Sequence, residues 1–378
     1  MPIRNIIKTY FTWRILVSLA AIPAAFLLPL IVRYSLQSGN FEADHLLQMW
    51  ANFDGPRYLQ LAQIGQIERW DSLLLTLFPL YPWLIGIFSL IFSPLVSSLL
   101  ISNICLVISL ILLYKLVKMD FDSKVAKMSL LLLLIFPTSF VLGSVYTESL
   151  FLLLSIGSIY LMRQNRFMCA GVLVSLAGLT RFLGVALIPV LLIEYIQAVK
   201  SNKLKLFGPQ FAGVIIAPLG LISYLYFQYV RIGDPLFLLN SYSDFMLSSG
   251  FEKFILPHQV FYRYLKMFIF SGNRLDPFYF TVVLELVVVV LSFALSVLAL
   301  KYTRKSYAVF SLLILFIPMF SGTFHSLPRI VLVAFPIFIM AAKFISRLSL
   351  RFQQIIFTFL LLVGFICISL FTRGYFVV

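Results

Sequence analysis

The sequence predicts an all-α polytopic membrane protein, and three observations carry that prediction. Of its 378 residues, 61% are hydrophobic and only 11% are charged, whereas a soluble domain carries about 25% charged residues. Mean hydropathy is +1.02. Apolar runs long enough for membrane helices recur along the whole chain. The alternating strand-length segments of a membrane barrel are absent.

The expected spans, in order, are 14–32, 95–114, 126–143, 148–162, 168–180, 183–197, 208–230, 278–300, 306–321, 329–346 and 353–371. They make about 11 transmembrane helices in one membrane-embedded domain over 1–378. Arg4, Lys8 and Arg14 precede the first run, and LAAIPAA within it mimics a signal-peptidase site. The run is longer than a signal core, so it reads as an uncleaved span. Segment 72–92 is apolar too, but Phe78-Pro79-Leu80-Tyr81-Pro82 breaks helix early and sets aromatics at headgroup level. We read it as interfacial or re-entrant.

Charge placement supports that topology. The net charge is +15, which raises the question of nucleic acid. With the N-terminus cytoplasmic, the inner segments 1–14, 115–127, 163–166, 198–206, 301–305 and 343–351 hold most of the 29 basic residues, opposed only by Asp120 and Asp122. This is the positive-inside pattern, and it accounts for the charge with no nucleic acid. If 72–92 crossed once, Lys115, Lys118, Lys124 and Lys127 would move outside. The three cysteines, Cys105, Cys169 and Cys367, and the histidines His45, His258 and His325 are scattered. They suggest neither a disulfide framework nor a metal site; divalent-metal dependence is left open, and no cofactor is indicated.

Two long outer loops remain, 33–94 with its interfacial helices and 231–277. The inner loops are too short to hold a site, so the chemistry is expected on the outer face. Residues 50–66 read WANFDGPRYLQLAQIGQ. Asp54 can cap a helix whose first turn holds Gly55 and Pro56. Tyr58, Leu61, Ala62 and Gly65 then share one face, as on an amphipathic helix lying at the membrane surface. Asp54 is either only that cap or a general base kept ionised by the helix N-terminus. Arg181 and Arg329 sit at outer ends of apolar helices, and Arg57 lies one turn after Asp54. Each either snorkels to headgroups or offers a guanidinium fork to phosphate. Glu148 beside Tyr146 and Thr147 either orients a substrate hydroxyl or partners a cap at Thr147 or Ser149. Glu285, deep in its span, suits a buried partner.

A carboxylate and arginines on an outer face fit one reaction, displacement at a sugar carbon with a phosphate leaving group. The acceptor hydroxyl needs one base, and the leaving phosphate needs cations rather than an acid. A retaining hydrolase would need two carboxylates at a set spacing.

With these residues in view the chain resembles the PIG-V-type mannosyltransferases, membrane-embedded glycosyltransferases of the GT-C fold. The resemblance rests on WANFDGPRYLQLAQIGQ, LFPLYP at 77–82, FPTSFVLGSVYTESLF at 136–151, LAGLTRFLGVAL at 176–187, GDPLFLL at 233–239 and LPRIVLVAFP at 327–336, in that order. It implies a polyprenyl- or dolichyl-phosphate sugar as donor and transfer of a hexose, mannose above all. It further implies a glycan, glycolipid or protein acceptor and Asp54 as catalytic base. Arg181 and Arg329 would contact the donor phosphate, and Arg57, Tyr58, Tyr146, Glu148 and His325 would line the cavity. Asp234, His258 and Arg274 are weaker candidates for acceptor contact. The expected location is the plasma membrane of a prokaryote, or the endoplasmic reticulum membrane of a eukaryote. The rival reading from another class is a lipid-sugar flippase or other transporter, which would commonly show broken helices repeated in two halves.

Overall fold

The computed structural model describes residues 1–31, 45–63, 74, 76–241, 255–270, 274 and 276–377, and of His45 the backbone alone. Among these residues there is no β-strand. Each of the expected spans contains a helix, although the one expected at 126–143 is α-helical only to Ile135. Six helices are long and apolar enough to cross a membrane: Ile3–Leu27, Pro94–Val117, Phe182–Lys200, Pro209–Ile232, Pro277–Tyr302 and Leu350–Thr372. A seventh is a pair, Leu327–Val333 and Pro336–Ile345, bent by 84°. The remaining expected spans correspond to the shorter helices Ser123–Ile135, Glu148–Arg163, Phe167–Gly178 and Lys305–Met319. The chain is an integral membrane protein.

The helices stop where the sequence dictates. Ser123–Ile135 ends because Pro137 forces Phe136 into extended backbone, φ −60° and ψ 140°. The chain then runs irregularly to Thr147, and every side chain from Ser139 to Ser149 in this stretch is buried. Irregular backbone at such depth survives only where protein groups satisfy it, and they do. Asn103 Nδ2 donates to Gly143 O, Ser102 Oγ to Tyr146 O, and Val145 N to Trp50 O at 3.0 Å. Thr138 Oγ1 donates to Pro328 O at 2.7 Å, which ties this stretch to the bent 327–345 pair.

Elsewhere helices touch backbone to backbone. A Cβ on Gly213 would lie 1.9 Å from Phe167 O, and one on Gly220 1.8 Å from Ser175 O. Only glycine allows Phe167–Gly178 to pack so closely on the 209–232 span, as small residues commonly do between membrane helices.

Other boundaries also differ from the sequence reading. The first helix starts at Ile3 rather than near residue 14. Arg14 therefore lies about 16 Å along it instead of at an inner end. Its guanidinium sits over the Trp50 ring, 4.8 Å from the centroid, so an aromatic face replaces water for a cation inside the bundle. The helix after Asp54 spans Gly55–Ala62; Ile64, Gly65 and Gln66 lie outside the described residues. Within 72–92 the helix is Leu80–Phe88. At nine residues it is about 13 Å long, short of the ~30 Å hydrocarbon core.

Candidate functional site

The turn that carries Asp54 is built by its neighbours. Trp50 and Ala51 are buried. Asn52 Nδ2 donates to Phe371 O at 2.6 Å, and Asn52 O accepts from Tyr146 Oη at 3.0 Å. Phe53 takes φ 60°, a left-handed conformation unusual for a bulky residue. Its ring packs against Phe371 and Phe376. Gly55 fits because a Cβ there would meet Ala51 Cβ at 3.2 Å and Val145 at 3.5 Å. Tyr58 faces Tyr81 edge-on, with centroids 5.4 Å apart.

Asp54 takes the N-cap place of its helix but makes no capping bond. Oδ2 instead accepts from Arg329 Nη1 at 2.8 Å, and Oδ1 lies 3.8 Å from Arg57 Nη1. Arg329 Nε lies 3.5 Å from Glu148 Oε1, the same oxygen that accepts from Arg181 Nη1. The Arg329 guanidinium also lies over the Tyr146 ring, 5.0 Å from its centroid. Asp54, Arg57, Tyr146, Glu148, Arg181 and Arg329 thus form one linked cluster, although Asp54 and Arg329 are 275 positions apart. The cap reading of Asp54 gives way to this pairing. Snorkelling gives way for Arg181 and Arg329, whose side chains are 16% and 13% exposed and paired with carboxylates. Arg57 is the outlying cation, 47% exposed.

The electrostatics follow from the count of charges. Two carboxylates face three guanidinium groups, so with all groups ionised the cluster keeps one positive charge. Burial pushes the Asp54 carboxyl up, but the charge and hydrogen bond of Arg329, with Arg57 and Arg181, outweigh it and leave the pKa below its ordinary value. Burial, then the charge of Asp54, pushes the Tyr58 phenol up to about 12; it remains a neutral donor. Asn52 Oδ1, Thr147 Oγ1, Glu148 Oε2 and Arg329 Nε are buried without a hydrogen-bond partner. Buried polar atoms are rarely left so, and four around one cluster mark a place that a polar ligand would complete.

Three further candidates stand apart from the cluster. Asp234 spends its carboxylate on Leu236 N and Asn240 Nδ2. His258 and Arg274 are exposed. His325 sits beside the cluster: its ring stacks on Phe376 at 3.9 Å and 4°, and Phe376 in turn touches Phe53. Burial and the Arg329 charge hold its imidazole below the ordinary value. Among the described residues, no three His, Cys, Asp or Glu side chains gather as a metal site would need.

Sequence reasoning passed over Asn52 and Arg14. Both had a signal. Asn52 lies in the same quoted motif as Asp54, and Arg14 becomes intramembrane once the apolar helix is started at Ile3. The other ion pairs belong elsewhere. Arg163 binds Asp120 and Tyr307, about 22 Å from Glu148 along their shared helix, and Arg304 binds Glu194.

Residues 78–227 match the dolichyl-phosphate-mannose-protein mannosyltransferase family. That is less than half of the chain; it includes Glu148 and Arg181 but neither Asp54 nor Arg329. No curated protein sequence matches. Among solved structures, the apo oligosaccharyltransferase of Archaeoglobus fulgidus aligns over 97% of this chain and 56% of its own, at 12% identity and a TM-score of 0.44. ArnT from Cupriavidus metallidurans, bound to undecaprenyl phosphate, aligns over 91% and 62%, at 16% identity and a TM-score of 0.48. AglB from Archaeoglobus fulgidus, in complex with an inhibitory peptide and a dolichol-phosphate, aligns over 97% and 56%, at 13% identity and a TM-score of 0.43. The chain thus spans little more than half the length of these neighbours, and its central segment is glycosyltransferase-like in sequence.

Proposed function

We propose that the chain is an inverting, GT-C-type glycosyltransferase that moves a hexose from a polyprenyl-phosphate donor to an acceptor hydroxyl. The observation that carries this reading is the Asp54–Arg329–Glu148–Arg181 cluster, with a surplus positive charge and unpartnered buried polar atoms. A glycosyl phosphodiester brings one negative charge, which matches the surplus. Arg329 and Arg181 hold the phosphate oxygens as charge builds on the leaving group. Asp54 accepts the proton of the acceptor hydroxyl. That oxygen then forms its bond to the anomeric carbon, and the carbon–phosphate-oxygen bond breaks with its electron pair leaving on the phosphate. Arg57 and Tyr58 flank the base, and Tyr146 supports Arg329 from beneath.

Mannose is the sugar we favour, on the PIG-V-type motifs and on the family that residues 78–227 match. The site then faces the outer or lumenal side, with the N-terminus cytoplasmic. The test offers the purified protein a panel of polyprenyl-phosphate sugars with octyl glycosides as acceptors and identifies products by mass spectrometry. A new glycosidic product with inverted anomeric configuration is expected. Movement of labelled lipid-sugar across liposomes without any covalent product would overturn the reading in favour of a flippase.

A further inference from the structure

A second polar network adjoins the cluster and is not used by the chemistry above. Glu285 is buried in the Pro277–Tyr302 helix, its side chain 3% exposed. Tyr264, on the Pro257–Phe270 helix, donates its hydroxyl to Glu285 Oε2 at 2.5 Å. The same hydroxyl oxygen accepts from Phe324 N at 3.1 Å. Glu285 Oε1 has no hydrogen-bond partner and lies 3.9 Å from His325 Nδ1. The His325 ring is 58% exposed, flat against Phe376, and four residues before Arg329.

The polarity of this chain can be followed proton by proton. A tyrosine hydroxyl has one hydrogen. Because Phe324 N–H occupies a lone pair of Tyr264, the hydroxyl hydrogen goes to Glu285 Oε2. The backbone N–H of Ser326 also bears on the Glu285 carboxylate, and Oε1 keeps a lone pair toward His325 Nδ1–H, 3.9 Å away. A carboxylate on one imidazole nitrogen fixes the tautomer and leaves the other nitrogen with its lone pair. Nε2 is thus the acceptor nitrogen of a side chain that is 58% exposed and stacks on Phe376, which in turn packs against Phe53. The charged groups that bear on the ring are Glu285, Arg329 and Asp54.

We propose that His325 binds a hydroxyl of the acceptor through Nε2 as a neutral imidazole, and that Glu285 and Tyr264 are positioning residues that keep the proton on Nδ1. The acceptor class is a polyhydroxylated sugar rather than a lone alcohol: the apolar ring stack beside an acceptor nitrogen suits a pyranose, which carries C–H faces and hydroxyl edges. The role in acceptor binding rests on the glycosyl-transfer reading of the Asp54 cluster; the tautomer does not.

The test uses the full-length protein in lipid nanodiscs with 15N-labelled imidazoles. There are only three histidines, and His325→Asn identifies the resonances of interest. In the wild type, His325 is expected protonated at Nδ1. Glu285→Gln, whose amide can donate to Nδ1, is expected to move the proton to Nε2. Tyr264→Phe, a milder change, shifts it part of the way. A wild-type spectrum with the proton on Nε2 overturns the positioning role without any variant. Titration with octyl α-mannoside and octyl α-glucoside is expected to shift His325 Nε2 and leave His258 unmoved. No shift with either overturns acceptor binding. Failure of the transfer reading looks different: no polyprenyl-phosphate sugar is consumed by the wild type, whatever the spectrum.

Discussion

Asp54→Asn separates the two jobs that Asp54 performs, holding Arg329 and taking a proton. Asparagine is isosteric, and its amide oxygen still accepts from Arg329 Nη1, now at 2.8 Å from Oδ2. Glu148 stays bound to Arg181 and close to Arg329, so the arginines keep a partner. The formal charge of the cluster rises from one positive to two, and an anionic donor should bind as well or better. What disappears is the base. Removing a general base costs about 10²–10⁴ in rate, which is about 2.7–5.4 kcal/mol of transition-state stabilisation. The assay is steady-state transfer from polyprenyl-phosphate mannose, with kcat and donor KM measured separately. The expected result is a kcat lower by that factor with an unchanged or lower donor KM. A kcat within about threefold of wild type, under about 0.7 kcal/mol, would refute the reasoning, because a merely structural Asp54 shows itself in binding and stability instead.

Other outcomes follow from the same geometry. Arg329→Lys supplies a point charge that cannot reach Asp54 and Glu148 together; transfer should fall about 10²-fold or more, measured at saturating donor. The lowered Asp54 pKa keeps the base ionised through the mildly acidic range, so no acid limb due to Asp54 should appear in kcat above about pH 4, its ordinary value. Its contribution to stability is present above that ordinary value and is lost as pH falls through the lower folded value. The difference in melting temperature between wild type and Asp54→Asn should therefore stay flat from about pH 5 to 8. Gly213→Ala forces a Cβ into Phe167 O and should destabilise by about 1–3 kcal/mol or more, read by thermal unfolding in micelles, with little change in turnover per folded molecule.

Sequence patterns reveal the helices and the site residues to different degrees. Apolar runs and basic inner segments are local and additive, so every expected span meets a helix. Helix starts are less visible. An arginine such as Arg14 looks like a flank until a ring such as Trp50 is known to lie beneath it. The residues Asp54, Glu148, Arg181 and Arg329 could be picked out because charge is costly beside lipid. Their pairing could not be picked out. Nothing local says that the Asp54 side chain turns from its own helix to Arg329, since that choice depends on Thr138, Tyr146 and Pro328 bringing two broken segments together. Glu285 was legible as a buried partner, but Tyr264 was hidden in a loop helix, with nothing local to pair its hydroxyl with Glu285 and Phe324 N.

The long sequence separation within the cluster has a consequence for biogenesis. The ribosome delivers Asp54, Glu148 and Arg181 to the membrane well before Arg329. The Asp54 turn is also fastened from the late side, since Asn52 Nδ2 binds Phe371 O and Ile31 N binds Arg373 O. A nascent chain halted before the bent 327–345 pair would hold an Asp54 carboxylate without its hydrogen-bonded arginine, leaving only the weaker charges of Arg57 and Arg181. The Asp54–Arg329 pair thus forms only after Arg329 has been made, and a fragment released before residue 329 lacks it.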